Sequence, residues 1–277
     1  MTEKTHDGGT LHGEQPTGAG TPEHAQPRDG AHQHDDGRQR DGAHQHDAAH
    51  THEQAHQHDA AQQRGLNLHE DADNAVDMWD GMYKERTKVW SGNPNPQLVA
   101  EARDLNPGKA LDLGCGEGAD AIWLAEQGWT VTALDVSAVA LERAAAHAAG
   151  TSHADRITWQ QQDLAEWTPN AEFDLVSAQF LHSPLLPWRE SVAMAAAAVA
   201  PGGTLLVVGH HPHGLPSWSH HHDSGMFFTP EQLAGALRLD RDPWFVNVLT
   251  DRKRSVTGPD GESGTTLDTV LRAVKHA

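Results

Sequence analysis

The feature that most constrains this chain is a glycine-rich turn between a short apolar run and a helical pattern. Residues 110–113 read Ala-Leu-Asp-Leu, a run typical of a buried parallel strand. Gly114, Gly116 and Gly118 follow at alternate positions, and the pattern becomes helical from Ala119 onward. Glycines, which have no Cβ, let the backbone pass close to a ligand and let the helix start tightly against the strand. Strand, glycine turn and helix in this order predict a Rossmann-like nucleotide-binding unit.

The spacing of the glycines narrows the choice of nucleotide. A dinucleotide fingerprint reads G-x-G-x-x-G and holds a pyrophosphate at the helix N-terminus. This turn instead reads G-x-G-x-G, with Asp112 before it and Glu117 inside it. Two carboxylates would repel a diphosphate at short range, and they suit a ligand with an ammonium group and no phosphate. A Rossmann turn that binds some other ligand is the alternative, which a glycine triplet alone does not exclude.

The segment from Asp112 to Gly118 resembles the first motif of the class I methyltransferases that depend on S-adenosyl-L-methionine (SAM), (D/E)-x-G-x-G-x-G. The resemblance implies SAM as the cofactor and contacts to it from Asp112, Gly114, Gly116 and Gly118. It also implies an α/β fold, a Rossmann-like seven-stranded and mostly parallel sheet with helices on both faces. An antiparallel C-terminal strand pair, for which residues 244–249 and 266–273 are the candidates, completes that fold.

A second part of the resemblance lies before the glycine turn. Residues 69–93 have a helical pattern that contains Trp79 and Tyr83 and is broken after Trp90. Many small-molecule methyltransferases begin with a W-x-x-x-Y helix and a following tryptophan, and this segment resembles the tellurite-resistance and thiopurine methyltransferases among them. The resemblance implies that the three aromatic residues cover the SAM site, because ring faces attract a sulfonium methyl group. Ordinary packing of the helix on the sheet is the alternative.

The ends of later strands supply the other predicted cofactor contacts. Asp135 ends the second predicted strand, where a carboxylate can accept both hydroxyl groups of a ribose. The resemblance places Asp163 opposite the adenine amine and the backbone N–H of Leu164 towards a ring nitrogen. Val136, next to Asp135, and Gln179, at the end of the fourth predicted strand, complete the predicted set.

Two histidines are candidates for catalysis. His182 lies in the loop after the fourth predicted strand and is either a general base or part of the floor of the site. His211 lies in residues 210–223, where six histidines and one aspartate follow the fifth predicted strand. This segment can form a metal site, position a soft or oxyanionic acceptor, or act as a mobile polar lid. Its spacing matches no standard zinc pattern, so we assign no metal ligands.

The charge of the chain limits its partners. The net charge is −19, of which residues 1–64 contribute −6 and the remainder −13. Nucleic acids and anionic membranes both bind through Lys and Arg, so neither is an expected partner. The amino-methyltransferase signature of nucleic-acid enzymes, (N/D/S)-P-P-(Y/F), is also absent. We therefore expect a small-molecule substrate.

The N-terminal composition predicts a disordered, histidine-rich tail over residues 1–65, followed by the methyltransferase domain over residues 66–277. Residues 1–64 contain no Trp, Tyr, Phe, Val or Ile and half of the 22 histidines, and such a segment cannot bury enough apolar surface to fold. Its repeated His-Gln-His-Asp units can bind divalent metals incidentally.

Cys115 is the only cysteine, so no disulfide can form within the chain and a cytoplasmic location is expected. Neither a membrane-spanning run nor a secretory signal pattern is present in the sequence.

Together these observations predict SAM-dependent methyl transfer to a small acceptor, with a metalloid oxyanion or a thiol as the first choice. A natural-product O- or N-acceptor is the alternative within the same class of enzyme. The alternative from another class is a non-enzymatic metal-binding or metal-sensing protein that uses the histidine-rich segments.

Overall fold

The computed structural model describes residues 74–219, 225–241, 243–258 and 260–277. The predicted disordered tail over residues 1–65 and its metal-binding repeats lie outside the described residues. So does the second half of the histidine-rich segment, residues 220–223.

Seven strands form one sheet: β1 (Lys109–Leu113), β2 (Thr130–Asp135), β3 (Ile157–Gln161), β4 (Phe173–Gln179), β5 (Val199–His210), β6 (Trp244–Thr257) and β7 (Ser263–Lys275). Their order across the sheet is β3-β2-β1-β4-β5-β7-β6. The first five strands pair in parallel, and β7 runs antiparallel to both β5 and β6. This topology confirms the predicted fold class.

Within the described residues, six α-helices accompany the sheet: α1 (Ala75–Glu85), α2 (Pro96–Ala102), α3 (Ala119–Glu126), α4 (Ala138–Ala148), α5 (Trp188–Ala197) and α6 (Pro230–Leu237). Leu98 of α2 and Leu124 of α3 belong to the hydrophobic cluster on one face of the sheet. Val192 of α5 and Leu233 of α6 belong to the cluster on the other face. The central strands are covered on both faces, which is why they are largely apolar. Among the described residues, no helix is both long and apolar enough to cross a bilayer.

Two elements differ from their predicted bounds. The helix predicted over residues 69–93 ends at Glu85, because Arg86 adopts an extended backbone conformation and the chain turns towards the glycine turn. The C-terminal strands are also longer than residues 244–249 and 266–273, and they pair as far as Thr257 and Ser263. β6 is an edge strand, so its polar residues need not be buried, and the apolar pattern therefore underestimates its length.

The strand order reverses between β1 and β4. From this point β2 and β3 lie on one side, and β5, β7 and β6 lie on the other. Ligands of open α/β sheets bind outside the carboxyl ends of the strands at such a switch point. Leu113, Asp135, Gln179 and His210 end the four strands that surround it.

Candidate active site

A cavity lies at the switch point, outside the carboxyl ends of β1, β2, β4 and β5. Its walls come from α1, the glycine turn, the loop after β4 and the segment before α6. Among the described residues that line it are three aspartates, Asp120, Asp135 and Asp163, and no lysine or arginine.

The glycine turn has the backbone geometry that its sequence predicts. Gly114, Gly116 and Gly118 have φ values of +70°, +52° and +86°, in the left-handed region that favours glycine. A Cβ at Gly116 would lie 2.9 Å from Tyr83 Oη and 3.0 Å from Trp90 Nε1. Tyr83 and Trp90 therefore lie so close to the turn that only a glycine fits at position 116.

Asp135 ties the glycine turn to the end of β2. Its Oδ2 accepts a hydrogen bond of 2.8 Å from the N–H of Gly116, and its Oδ1 accepts one of 2.9 Å from the N–H of Ser137. Burial raises the pKa of Asp135 to about 6, although these backbone hydrogen bonds act in the opposite direction. The carboxylate is thus oriented before any ligand binds.

Other acceptors at this end of the cavity lack donors. Oδ2 of Asp112 and Oε1 of Gln179 are buried, and neither has a hydrogen-bond partner among the described residues. Burial, with the charges of Asp120 and Asp135, raises the pKa of Asp112 well above its usual range. Burial also raises the pKa of Asp120 to about 6. Crowded carboxylates and unpaired acceptors favour a ligand that brings positive charge and N–H or O–H donors.

Residues 79–90, which we call the aromatic strap, cover the glycine turn. Trp79, Tyr83 and Trp90 all line the cavity, and the indole N–H of Trp90 donates to Tyr83 Oη at 2.8 Å. The carboxylate of Glu117 accepts hydrogen bonds from the N–H groups of Val89 and Trp90, at 3.2 Å and 3.0 Å. The strap is thus bonded directly to the turn that it covers.

Arg143 of α4 neutralises Glu117 beneath the strap. Its Nη1 lies 2.9 Å from Glu117 Oε1, and its Nη2 donates to the carbonyl groups of Tyr83 and Arg86 at 2.6 Å and 2.7 Å. Glu117 lines the cavity as the sequence predicts, but Arg143 and the N–H groups of the strap compensate its charge.

Residues 110–203 match a family model described as "Methyltransferase domain". This range begins in β1, contains the glycine turn and Asp135, and ends in β5. Residues 110–203 therefore belong to a class I SAM-dependent methyltransferase domain. The family recognised from the glycine turn is thereby confirmed.

The relatives of this chain are named as methyltransferases with different acceptors. It is 33% identical over 142 residues to trans-aconitate 2-methyltransferase of Streptomyces avermitilis, covering 47% of this chain and 50% of the relative. It is also 33% identical over 101 residues to thiocyanate methyltransferase 1 of Brassica oleracea, covering 35% of this chain and 45% of the relative. The chain thus spans about half the length of the curated relatives that it matches.

The crystal structure of TehB from Haemophilus influenzae has the same fold. Its TM-score to the methyltransferase is 0.51 at 18% identity, with 72% of this chain and 66% of TehB covered. At this identity the likeness is one of fold alone.

The structure brings together most of the residues that the sequence predicts for the site. All of them except Asp112 and His211 line the cavity. Those that line it are Trp79, Tyr83, Trp90, Gly114, Gly116, Gly118, Asp135, Val136, Asp163, Leu164, Gln179 and His182. Asp112 is buried among the carboxylates at the end of β1.

The geometry of His182 contradicts its assignment as a general base. Its Nε2 accepts the backbone N–H of His210 at 3.0 Å, and its Nδ1 lies 3.0 Å from the carbonyl oxygen of Met226. A backbone N–H can only donate and a carbonyl can only accept, so the ring is neutral with its proton on Nδ1. No lone pair is left for a substrate proton, and the ring fits the alternative reading as part of the floor of the site.

The assignment of His211 to catalysis is also wrong, because His211 does not line the cavity. Its Nε2 lies 3.8 Å from Oδ2 of Asp251, and its Nδ1 accepts the N–H of His213 at 3.1 Å. The neighbouring residue, His210, lines the cavity instead. β5 ends at His210, so the last residue of the strand, and not the residue after it, carries the ring that enters the site.

Three residues of the site were missed from the sequence. Arg143 is one cation in an alanine-rich helix, and no local pattern links it to Glu117. Phe180 has a φ of +49°, unusual for a residue other than glycine, and no sequence pattern predicts it. His210 could have been found, because it ends a predicted strand at the ligand-binding edge.

The pKa of Asp135 predicts the pH dependence of SAM binding. Since the predicted bonds from the ribose hydroxyl groups to Asp135 need the ionised carboxylate, we expect SAM affinity to fall about tenfold between about pH 7.5 and pH 5. The stability of the ligand-free fold depends on pH in the opposite direction. A carboxyl group whose pKa rises on folding from about 3.9 to about 6 makes the fold less stable as pH rises through that interval.

Isothermal titration and thermal unfolding across this pH range measure the two trends. In Asp135→Asn the dependence of SAM affinity on pH should be smaller, with Asp120 as the remaining contributor. An equal dependence in wild type and variant would contradict the assignment.

Proposed function

We propose that this methyltransferase transfers the methyl group of SAM to the hydroxyl or thiol group of a small, largely apolar molecule. The observation that carries this proposal is the contrast between the two ends of one cavity. Carboxylates line the end near β1 and β2, whereas Leu181, Leu186, Met226 and Phe227 line the end near β4 and β5. The first end suits the cationic cofactor, and the second suits an apolar acceptor.

The residues present fit SAM. We propose that Asp135 accepts the ribose hydroxyl groups and that Asp163 and Leu164 hold the adenine. Gln179 Oε1, which is buried without a donor in the cavity lining, is available to the ammonium group, and Asp112 lies outside that lining and adds only its position behind the turn. Trp79, Tyr83 and Trp90 cover the sulfonium side, with Val136 and the glycines of the turn beneath the nucleoside.

Bound SAM supplies a methyl group that is already activated by the positive sulfur, so the chain needs no covalent intermediate. Its residues orient the acceptor for in-line displacement and exclude water. Correct orientation of two reactants contributes up to ~7–11 kcal/mol to lowering a barrier. Cys115 is not a candidate nucleophile, because burial and the charges of Asp135 and Asp112 raise the pKa of its thiol well above the usual range.

The cavity favours an apolar acceptor over the metalloid oxyanion considered from the sequence. An oxyanion or a polycarboxylate, such as the acceptor in the name of the Streptomyces relative, needs cationic partners in a buried site. Among the described residues that line the cavity, none is a lysine or an arginine. A thiol or phenol requires only an apolar wall and a group that removes its proton.

A methyl-transfer screen tests this function. Purified full-length chain is incubated with labelled SAM and one of four acceptors: 2-naphthol, thiophenol, trans-aconitate or tellurite. Because apolar contacts discriminate by about 10- to 200-fold, we expect kcat/KM for 2-naphthol and thiophenol to exceed that for the two anions by at least this factor. Gly116→Ala is the matched control for a disrupted site, because the Cβ of the alanine would collide with Tyr83 and Trp90. Preference for either anion would contradict the proposed acceptor class.

Two expectations from the sequence remain proposals. The domain is proposed to begin near residue 66, which lies outside the described residues. A cytoplasmic location is proposed from the single cysteine alone.

A further inference from the structure

His210 is held in one orientation at the acceptor end of the cavity. It ends β5, and its ring centroid lies 4.7 Å from that of Phe180 and 5.6 Å from that of Phe227. The ring stacks on His182 at 5.4 Å with an angle of 21° between the planes. Its backbone N–H is fixed as well, because it donates to Nε2 of His182. A ring packed on three sides has little freedom to leave this orientation.

Asp268 on β7 faces the protein side of this ring. Nδ1 of His210 is buried and lies 3.8 Å from Oδ1 of Asp268, which is itself fully buried. Arg254 on β6 donates to both oxygens of Asp268, from Nε at 2.7 Å and from Nη2 at 3.0 Å. The three residues therefore form a buried row of arginine, carboxylate and imidazole that leads to the cavity.

The charge of Asp268 is permanent at neutral pH. Its burial acts to raise the pKa, but His210 and Arg254 together outweigh burial and lower the pKa to about 2. An ionised carboxylate opposite Nδ1 favours the tautomer that carries its proton there. The lone pair of the neutral ring is then on Nε2, and the ring is part of the cavity lining.

We propose that His210 is the general base that takes the proton of the methyl acceptor, and that the Asp268–Arg254 pair is the positioning device for its ring. The proposal rests on the proposed function and makes it more specific. It defines the acceptor class as molecules whose hydroxyl or thiol is protonated at neutral pH. An acceptor that is already an anion needs no such base.

The reaction is balanced in charge and atoms. The acceptor oxygen or sulfur forms its new bond to the methyl carbon, and the electron pair of the broken carbon–sulfur bond stays on the sulfur of the cofactor. The acceptor proton passes to Nε2 of His210, so the positive charge that leaves the sulfonium appears on the imidazolium. The negative charge of Asp268, 3.8 Å from Nδ1, stabilises that imidazolium, and solvent later removes the proton.

Other titratable groups near the acceptor are unsuited to this role. His182, from the loop after β4, has no free lone pair. Burial and the charge of Asp135 raise the pKa of Tyr83 well above its usual range, so it remains a neutral phenol. The charged groups closest to His210 are Asp268 from β7 and Arg254 from β6, which bond to each other.

The kinetic test compares His210→Gln with His211→Gln. His211 is the adjacent histidine and lies outside the cavity lining, so its variant is the matched control. With 2-naphthol, which is protonated at neutral pH, we expect kcat of His210→Gln to fall by at least about 100-fold. With 4-nitrophenol at a pH where it is ionised, the fall should be less than about tenfold. Equal losses with both acceptors, or a loss in His211→Gln of the same size, would overturn the proposal.

A second measurement works without turnover. Nitrogen-15 NMR of the wild-type chain, with the signals of His210 identified from His210→Gln, reports which ring nitrogen carries the proton. The proposal requires Nδ1–H in the neutral ring, and a proton on Nε2 would overturn it. The preference should weaken in Asp268→Asn, a result that lost packing alone would not give. If SAM does not bind, the proposed function fails; if SAM binds and reacts but Nε2 carries the proton, only the role of His210 fails.

Discussion

Replacing Asp135 by alanine should reduce the affinity for SAM by about 100-fold or more. A hydrogen bond to a charged group contributes about 1.5–3 kcal/mol, and we propose that Asp135 makes two with the ribose. The substitution also removes the acceptor that fixes the N–H groups of Gly116 and Ser137. Isothermal titration with SAM and with its demethylated product measures the loss of affinity for each ligand. The two losses should be of similar size, because the two ligands share the ribose.

Asp155→Ala provides the matched control. This aspartate is exposed in the turn before β3 and does not line the cavity. It carries the same charge, so a general effect of net charge on a cationic ligand would appear in both variants. Equal affinities in the two variants would show that Asp135 does not contact the ribose.

Replacing Arg143 by methionine should have the second large effect, this time on the fold as well as on binding. Glu117 is only 4% exposed and would lose its cation. Removing one partner of a buried ion pair costs about 3–5 kcal/mol, because the other charge stays buried without compensation. The carbonyl groups of Tyr83 and Arg86 also lose the hydrogen bonds from the Arg143 guanidinium. We expect a lower midpoint of denaturant unfolding and weaker SAM binding, since the aromatic strap is released.

The double variant Glu117→Gln/Arg143→Met separates the two effects. A neutral glutamine can still accept the N–H groups of the strap, so most of the lost stability should return. SAM affinity should return only in part, because the strap still lacks the bonds from Arg143. If the change in the free energy of unfolding of the double variant equals the sum of the changes in the two single variants, the two residues do not interact.

The nucleoside end of the site was predictable from the sequence because it is specified by local patterns. The glycine turn, Asp135 after a strand and the aromatic residues of the strap each lie within a few positions of the element that places them. Parallel strands bring their carboxyl ends to one edge, so these local patterns suffice to assemble that end of the site.

The acceptor end was not predictable, because contacts between distant segments decide it. His182 loses its lone pair to a backbone N–H that lies 28 residues further along the chain. Whether His210 or His211 enters the cavity depends on the register between β5 and β7, in which His210 pairs with Asp268. At the nucleoside end the same holds for Arg143, because it contacts Glu117 across 26 residues.

The central claim is that the acid-rich cavity binds SAM. Titration of the purified full-length chain at neutral pH should give saturable binding of SAM, competition by the demethylated product and no binding of NAD⁺. Failure to bind either sulfur nucleoside, or binding of NAD⁺ in competition with them, would contradict the account.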